Sequence, residues 1–180
     1  PLPILEWTRR FCTVQRNYSK ARDYFQRAAK QGHVVALYHL AQLYDLGLGV
    51  SIDKETAAKW YQSAAVKGHV VSQSLLGLMY ADGEGVTQSY TLAAKWIQAA
   101  AQQNYMFAQH TLGFMYESGE IVGINLFKAR ELYEKSAAQG DDQGINNLAT
   151  FYKKGTAGLD VDKKKAFEMY TVASEKGNKF

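Results

Sequence analysis

Residues 69–104 read HVVSQSLLGLMYADGEGVTQSYTLAAKWIQAAAQQN, and this stretch returns along the chain. Leu76 recurs as Leu40, Leu112 and Leu148, and Tyr80 as Tyr44, Tyr116 and Tyr152, always 36 residues apart. Gly83 keeps the same spacing with Gly47, Gly119 and Gly155, and Ala93 with Ala57 and Ala129. Ala166 arrives one residue late, because GTAG (residues 155–158) lengthens the last unit. A fixed period of this length marks a stack of supersecondary units, each burying its apolar face on its neighbours.

Within a unit the apolar residues follow helical spacing twice. Ala36, Leu37, Leu40, Leu43 and Tyr44 lie on one face of a first helix, A. Ala57, Trp60, Tyr61, Ala64 and Ala65 do so on a second, B. Boundary residues agree in chemistry where they differ in identity. Asn17, Asp53, Ser89, Asn125 and Asp162 precede the B helices and are all side chains that accept from first-turn amides. Gly32, Gly68, Asn104, Gly140 and Gly177 follow them, types that tolerate the left-handed helix stop. After the repeated leucine stand Ala41, Gly77, Gly113 and Ala149, small enough for close helix packing. Opposite them the bulky slot on B holds Tyr24, Trp60, Trp96, Leu132 and Met169, beside Phe25, Tyr61, Ile97, Tyr133 and Tyr170. If fully buried, Trp60 or Trp96 would cost roughly 3 to 5 kcal/mol on truncation to Ala. The reading is all-α: a partial unit at 17–32, then units at 33–68, 69–104, 105–140 and 141–177. Residues 1–16 are left as a degenerate helix or cap.

Composition narrows the function. Of 180 residues 47% are hydrophobic and 21% charged, as in folded globular proteins, and two prolines leave long runs free to be helical. Cys12 is the only cysteine, so neither an intrachain disulfide nor a cysteine zinc cage is available. No apolar run is long enough for a membrane span, and the opening PLPILEWTRR lacks the order of a signal peptide. Pro1 in place of a methionine reads as a processed product or an excised fragment. Localisation is therefore left open.

The pattern A-x3-LG-x2-Y-x2-G-x-GV, a capping residue, then A-x2-WY-x2-AA-x2-G resembles the Sel-1-like repeat, a relative of the tetratricopeptide repeat. VSQSLLGLMYADGEGV (71–86) and AAKWIQAAA (93–101) carry it most fully. Unit 3 departs from it, with Ile121 where Gly49 and Gly85 predict glycine, and Gly123 two positions on, so its loop should be reshaped. The resemblance implies a right-handed α-α superhelix, a solenoid of about four and a half units, acting as a protein-protein interaction adaptor. Members of the family work in endoplasmic-reticulum protein degradation or as exported bacterial proteins. The disulfide-stapled cysteine-rich subgroup does not match a chain with one cysteine.

Catalytic and cofactor chemistry is not expected. The LGLGV and GEGV loops lack the context of a dinucleotide fingerprint or a P-loop, so Gly47, Gly49, Gly83 and Gly85 read as helix stops and turns. His33 and His69 stand one repeat apart with no recurring acidic or cysteine partner, which favours helix-start surface residues over a metal site. His39 and His110 have no recognisable Ser/His/Asp or Cys/His order around them. Cys12 reads as a packing residue. No cofactor and no metal are assigned.

If Ala36, Leu40, Ala41 and Tyr44 face the core, Val35, Tyr38, Gln42 and Asp45 remain on the outer face of helix A. In tetratricopeptide-like superhelices that face lines the concave groove. The positions carry forward as Val71, Ser74, Leu78 and Ala81, then Phe107, His110, Phe114 and Glu117, then Gln143, Asn146, Thr150 and Lys153. An exposed helix face is ordinarily polar, and Val71, Leu78, Phe107 and Phe114 are not. Two readings follow: the curvature of the stack covers these side chains, or they form an apolar groove for an extended or helical peptide. A second patch, Lys153, Lys154, Lys163, Lys164 and Lys165, is either a solvated face or a receiver for an acidic partner. Nucleic acid is not expected, since the basic residues do not form a stripe through the other units. The alternatives to a binding scaffold are self-association through an uncapped repeat end and a regulatory arm of a larger enzyme.

Overall fold

The structure is a computed structural model and describes residues 18–119 and 121–177. Within them the regular structure consists of nine helices: α1 (Tyr18–Lys30), α2 (Val34–Leu46), α3 (Lys54–Val66), α4 (Val70–Asp82), α5 (Tyr90–Gln102), α6 (Met106–Ser118), α7 (Leu126–Ala138), α8 (Asp142–Lys154) and α9 (Lys163–Gly177). Helices α2, α4, α6 and α8 are the A helices, and α1, α3, α5, α7 and α9 the B helices. Each packs on its sequence neighbours, which is the connectivity of a solenoid. Residues 1–17, which include Cys12, the cap Asn17 and the proposed degenerate helix, lie outside the described residues.

The caps fix where the helices begin. The side chains of Asp53, Ser89, Asn125 and Asp162 accept from the amides of Thr56, Leu92, Lys128 and Lys165 at 2.9, 3.4, 3.0 and 2.8 Å. The amide of each cap also donates to the carbonyl of the repeat tyrosine. Asp53 reaches Tyr44, Ser89 reaches Tyr80 and Asp162 reaches Tyr152 at 2.9 Å each, and Asn125 reaches Tyr116 at 2.8 Å. This bond pins the loop between A and B, and the insertion in the last unit preserves it. At the other ends of the B helices Gly32, Gly68, Asn104 and Gly140 are left-handed, with φ of 82°, 87°, 63° and 88°. Gly177 is different: it is the last residue of α9 and does not take the left-handed conformation of its counterparts.

The core runs along the joints. Leu40 and Leu76 are completely buried, and Leu112 and Leu148 nearly so. A Cβ placed on Gly77 would stand 2.7 Å from Ile97 Cγ1, and one on Gly113 would stand 2.7 Å from Tyr133 Cε1, so the small residues do permit the close approach. The tryptophans are not the deepest groups. Trp60 and Trp96 are only partly buried, so the full cost of truncating a core tryptophan does not apply to them. Tyr61, Ile97 and Tyr133, one position on, are the sealed side chains of the B helices. In unit 3 the loop is reshaped as expected: Ile121 packs on the α5/α6 cluster where Gly49 and Gly85 turn left-handed.

Candidate protein-binding face

The outer face of the A helices divides into a polar end, an apolar centre and a second polar end. At the first end Gln42 links its neighbours. Its amide donates to Tyr38 Oη at 2.7 Å, and its carbonyl oxygen lies 3.0 Å from His39 Nδ1. Tyr38 also lies against His69, ring centroids 4.7 Å apart, and His39 stacks on Phe25 at 5.1 Å. Burial draws both histidines below their ordinary pKa, favouring neutral rings. His69 caps α4 by accepting from the Ser72 amide at 3.2 Å, a structural role, whereas His33 makes no cap bond.

At the centre Leu78, Phe107 and Phe114 are exposed, by 39%, 43% and 56%. Neighbouring A helices do not cover them. Val35 and Val71 are partly covered, and Ser74 is buried, which removes it from any contact surface. Tyr105 meets Phe107 edge-on at 5.4 Å, and Phe107 meets His110 edge-on at 6.1 Å, so rings continue along the face. At the far end Asn146 is exposed, and Thr150 is tied to Tyr170, their hydroxyl oxygens 2.8 Å apart. Side by side, α6 and α8 touch directly, whereas no pair of B helices approaches as closely among the described residues.

Acids stand at the C-terminal ends of this face. Asp45 accepts from Tyr61 Oη at 3.1 Å and from Lys54 Nζ at 2.7 Å, and Lys54 also reaches Glu84 at 3.1 Å. Two repeats on, Glu117 accepts from Tyr133 Oη at 2.7 Å. Burial, and then the adjoining carboxylates, hold both phenols far above their ordinary pKa, so they remain neutral donors.

His110, Ser136 and Asp141 do come together, though not as a catalytic set. His110 Nδ1 donates to Asp141 Oδ2 at 2.6 Å, and Ser136 Oγ donates to the same oxygen at 2.6 Å. The serine thus bonds to the acid rather than to the imidazole, and it is buried. A nucleophile would need the opposite connectivity and access to substrate. Burial pushes the Asp141 carboxyl up, but the bonds from His110 and Ser136, the His110 charge and the Gly144 amide outweigh it and hold it below its ordinary value. The group is a buried tie between α6, α7 and α8.

A second network escaped the reading of the sequence. Gln73 is buried, donates to the Ala65 carbonyl at 3.1 Å and accepts from Gln103 at 2.7 Å. One unit later Gln109 donates to Asn104 at 2.9 Å and accepts from Gln139 at 2.7 Å. The signal was present, since both glutamines of each pair repeat at 36 residues. The equivalents Leu37 and Ile145 are apolar, so the ladder belongs to the inner units.

The five lysines Lys153, Lys154, Lys163, Lys164 and Lys165 are all exposed around the α8–α9 loop. Lys165 lies over the Tyr152 ring at 3.9 Å and donates to its hydroxyl at 2.8 Å. Among the described residues no group of three or more His, Cys, Asp or Glu is placed to hold a metal, and no helix is long and apolar enough to cross a membrane.

Paired helices that pack consecutively around a continuous core define a helical-repeat solenoid. The chain belongs to the Sel1 repeat family, whose repeat matches residues 11–33, 34–69, 70–105, 107–141 and 143–178. It is similar to a protective antigen of uropathogenic Escherichia coli that displays an SLR fold, with 37% identity and a TM-score of 0.85. That match covers 91% of this chain and 35% of the other. It is also similar to a Sel1 repeat protein of Oxalobacter formigenes, with 32% identity over 88% of this chain and 68% of the other and a TM-score of 0.75. The Helicobacter pylori cysteine rich protein B shares the fold at 20% identity, over 77% of this chain and 99% of its own, with a TM-score of 0.58. The chain thus spans about a third of the E. coli protein. No functionally curated protein matches it. Sel1 repeat proteins are generally protein-interaction scaffolds and typically lack catalysis.

Proposed function

We propose that this chain holds a partner protein on the outer face of its A helices, with Leu78, Phe107 and Phe114 as the apolar centre and Tyr38, Gln42, His110 and Asn146 around it. The observation that carries this reading is the exposure of three large apolar side chains on one face of two consecutive A helices. Polar side chains take the corresponding places at both ends, Gln42 in α2 and Gln143 and Thr150 in α8, as in a recognition groove with an apolar centre and a polar rim. The lysine group at the α8–α9 loop supports a separate contact with an acidic partner through its exposure alone.

The test is affinity capture with the native chain and with a variant carrying Leu78→Glu, Phe107→Ser and Phe114→Ser, with melting curves for both. Exposed substitutions of this kind shift stability by only about 0.5 kcal/mol each. Specific partners should be lost at a nearly unchanged melting temperature. Partners retained by the variant would move the site off this face.

A second reading, association through α9, has its own observation. Phe167 is 72% exposed at the position where Ala58 is buried under the next unit.

A further inference from the structure

Charge is sorted between the two kinds of helix. Among the described residues every lysine and arginine lies on a B helix except Lys67, in the turn after α3, and Lys153 and Lys154, on α8. Helices α2, α4 and α6 carry none, and their charged residues are Asp45, Asp82 and Glu117. Of the acids on these three helices only Asp45 has a basic partner among the described residues. Lys54 is shared between Asp45 and Glu84. Glu117 is bonded to the neutral Tyr133 hydroxyl and, among the described residues, is in no ion pair. The nearby Lys128 instead sits over the Tyr116 ring, 5.1 Å from its centroid. One turn before Glu117 stands the exposed Phe114, and one turn before Ala81 and Asp82 stands the exposed Leu78.

We infer that the face formed by α2, α4 and α6 takes a cationic polypeptide segment, an extended stretch bearing arginine or lysine. This rests on the groove reading and names its occupant. Apolar parts and the stems of the basic side chains lie over Leu78, Phe107 and Phe114, where a long cationic side chain buries its methylenes. Their charged ends reach the unneutralised carboxylates Glu117 and Asp82. An acidic segment is excluded by the same charges, and a cationic one is repelled by the basic B helices, so field and shape select one face. The cationic site ends at α8, where Lys153 and Lys154 reverse the sign.

The test uses fluorescein-labelled, terminally capped decapeptides of one leucine frame in which every second residue is Arg, Glu or Ser. Binding is read by anisotropy at low and at moderate salt. The expected result is that the Arg peptide binds about tenfold tighter than the others at low salt, the scale of two or three exposed ion pairs. Salt should erode that advantage. Glu117→Gln with Asp82→Asn retains the acceptor for Tyr133 and should remove most of the preference, and Phe114→Ser should weaken binding of the Arg peptide severalfold. Glu or Ser peptides that bind as well as Arg, and lose affinity in Phe114→Ser, would overturn the cationic occupant and leave the groove standing. An Arg peptide bound equally by all variants would place the cation site elsewhere and overturn the inference, as would binding of none of the three.

Discussion

Gly77 and Gly113 occupy the same place in successive units, yet the side chain opposite each one differs. A methyl group on Gly77 meets Ile97 at Cγ1, Cδ1 and its backbone nitrogen, at 2.7, 2.8 and 3.1 Å. On Gly113 it meets chiefly the Tyr133 ring, and unit 1 already combines Ala41 with Tyr61 at the equivalent positions, both buried. Gly77→Ala should therefore lose about 1 to 3 kcal/mol to overpacking, more than the roughly 1 kcal/mol that alanine gains over glycine in a helix. Gly113→Ala should cost less, because its tyrosine can adopt the arrangement of unit 1. Urea unfolding of the two variants checks the order, and a larger loss at Gly113 would contradict it.

The joint between elements is best seen at Asp141. It begins α8, yet its Oδ2 gathers His110 from α6, Ser136 from α7 and the Gly144 amide of its own first turn. Asp141→Asn loses charge-assisted bonds to buried donors and should cost about 1 to 3 kcal/mol at neutral pH. The native carboxyl titrates below its ordinary value, so its contribution is complete above about pH 4 and fades as the pH falls through the folded pKa. The stability gap between native and variant chains should accordingly narrow from pH 4 towards pH 2 in denaturant titrations. A gap constant with pH would mean that the ionised form does not carry the tie. The sequence reading placed His110 on the binding face and missed this role. A contact between His110 and Asp141, 31 residues apart, has no signature in helical spacing.

At the scale of the whole molecule, each unit touches only its neighbours, so surfaces add along the stack while stability is local. On α9 the position where Ala58 is buried in unit 1 is bare, with Phe167 exposed. If α9 pairs with a second copy, sedimentation velocity over a range of concentrations should show a species of twice the mass, abolished by Phe167→Ser. A single monomeric species at every concentration would remove that reading and leave the groove unaffected. The sorting of charge is also a property of the whole. No single helix shows it, yet the A side is acidic through α2, α4 and α6 and basic at α8, while every B helix is basic.

The sequence by itself determined the repeat, the helix pairs, their caps and the small residues at their contacts. These depend on spacing and local chemistry: a cap bonds three residues away, and a left-handed stop depends on one residue. The tertiary structure alone decided depth. It sealed Tyr61, Ile97 and Tyr133 while leaving Trp60 and Trp96 at the margin, and it buried Ser74 while exposing Leu78, Phe107 and Phe114. Helical spacing assigns each residue to a face, but how far neighbouring helices cover that face depends on side chains a whole unit or more away. That distance is why the groove was legible as a face and not as a set of contacts.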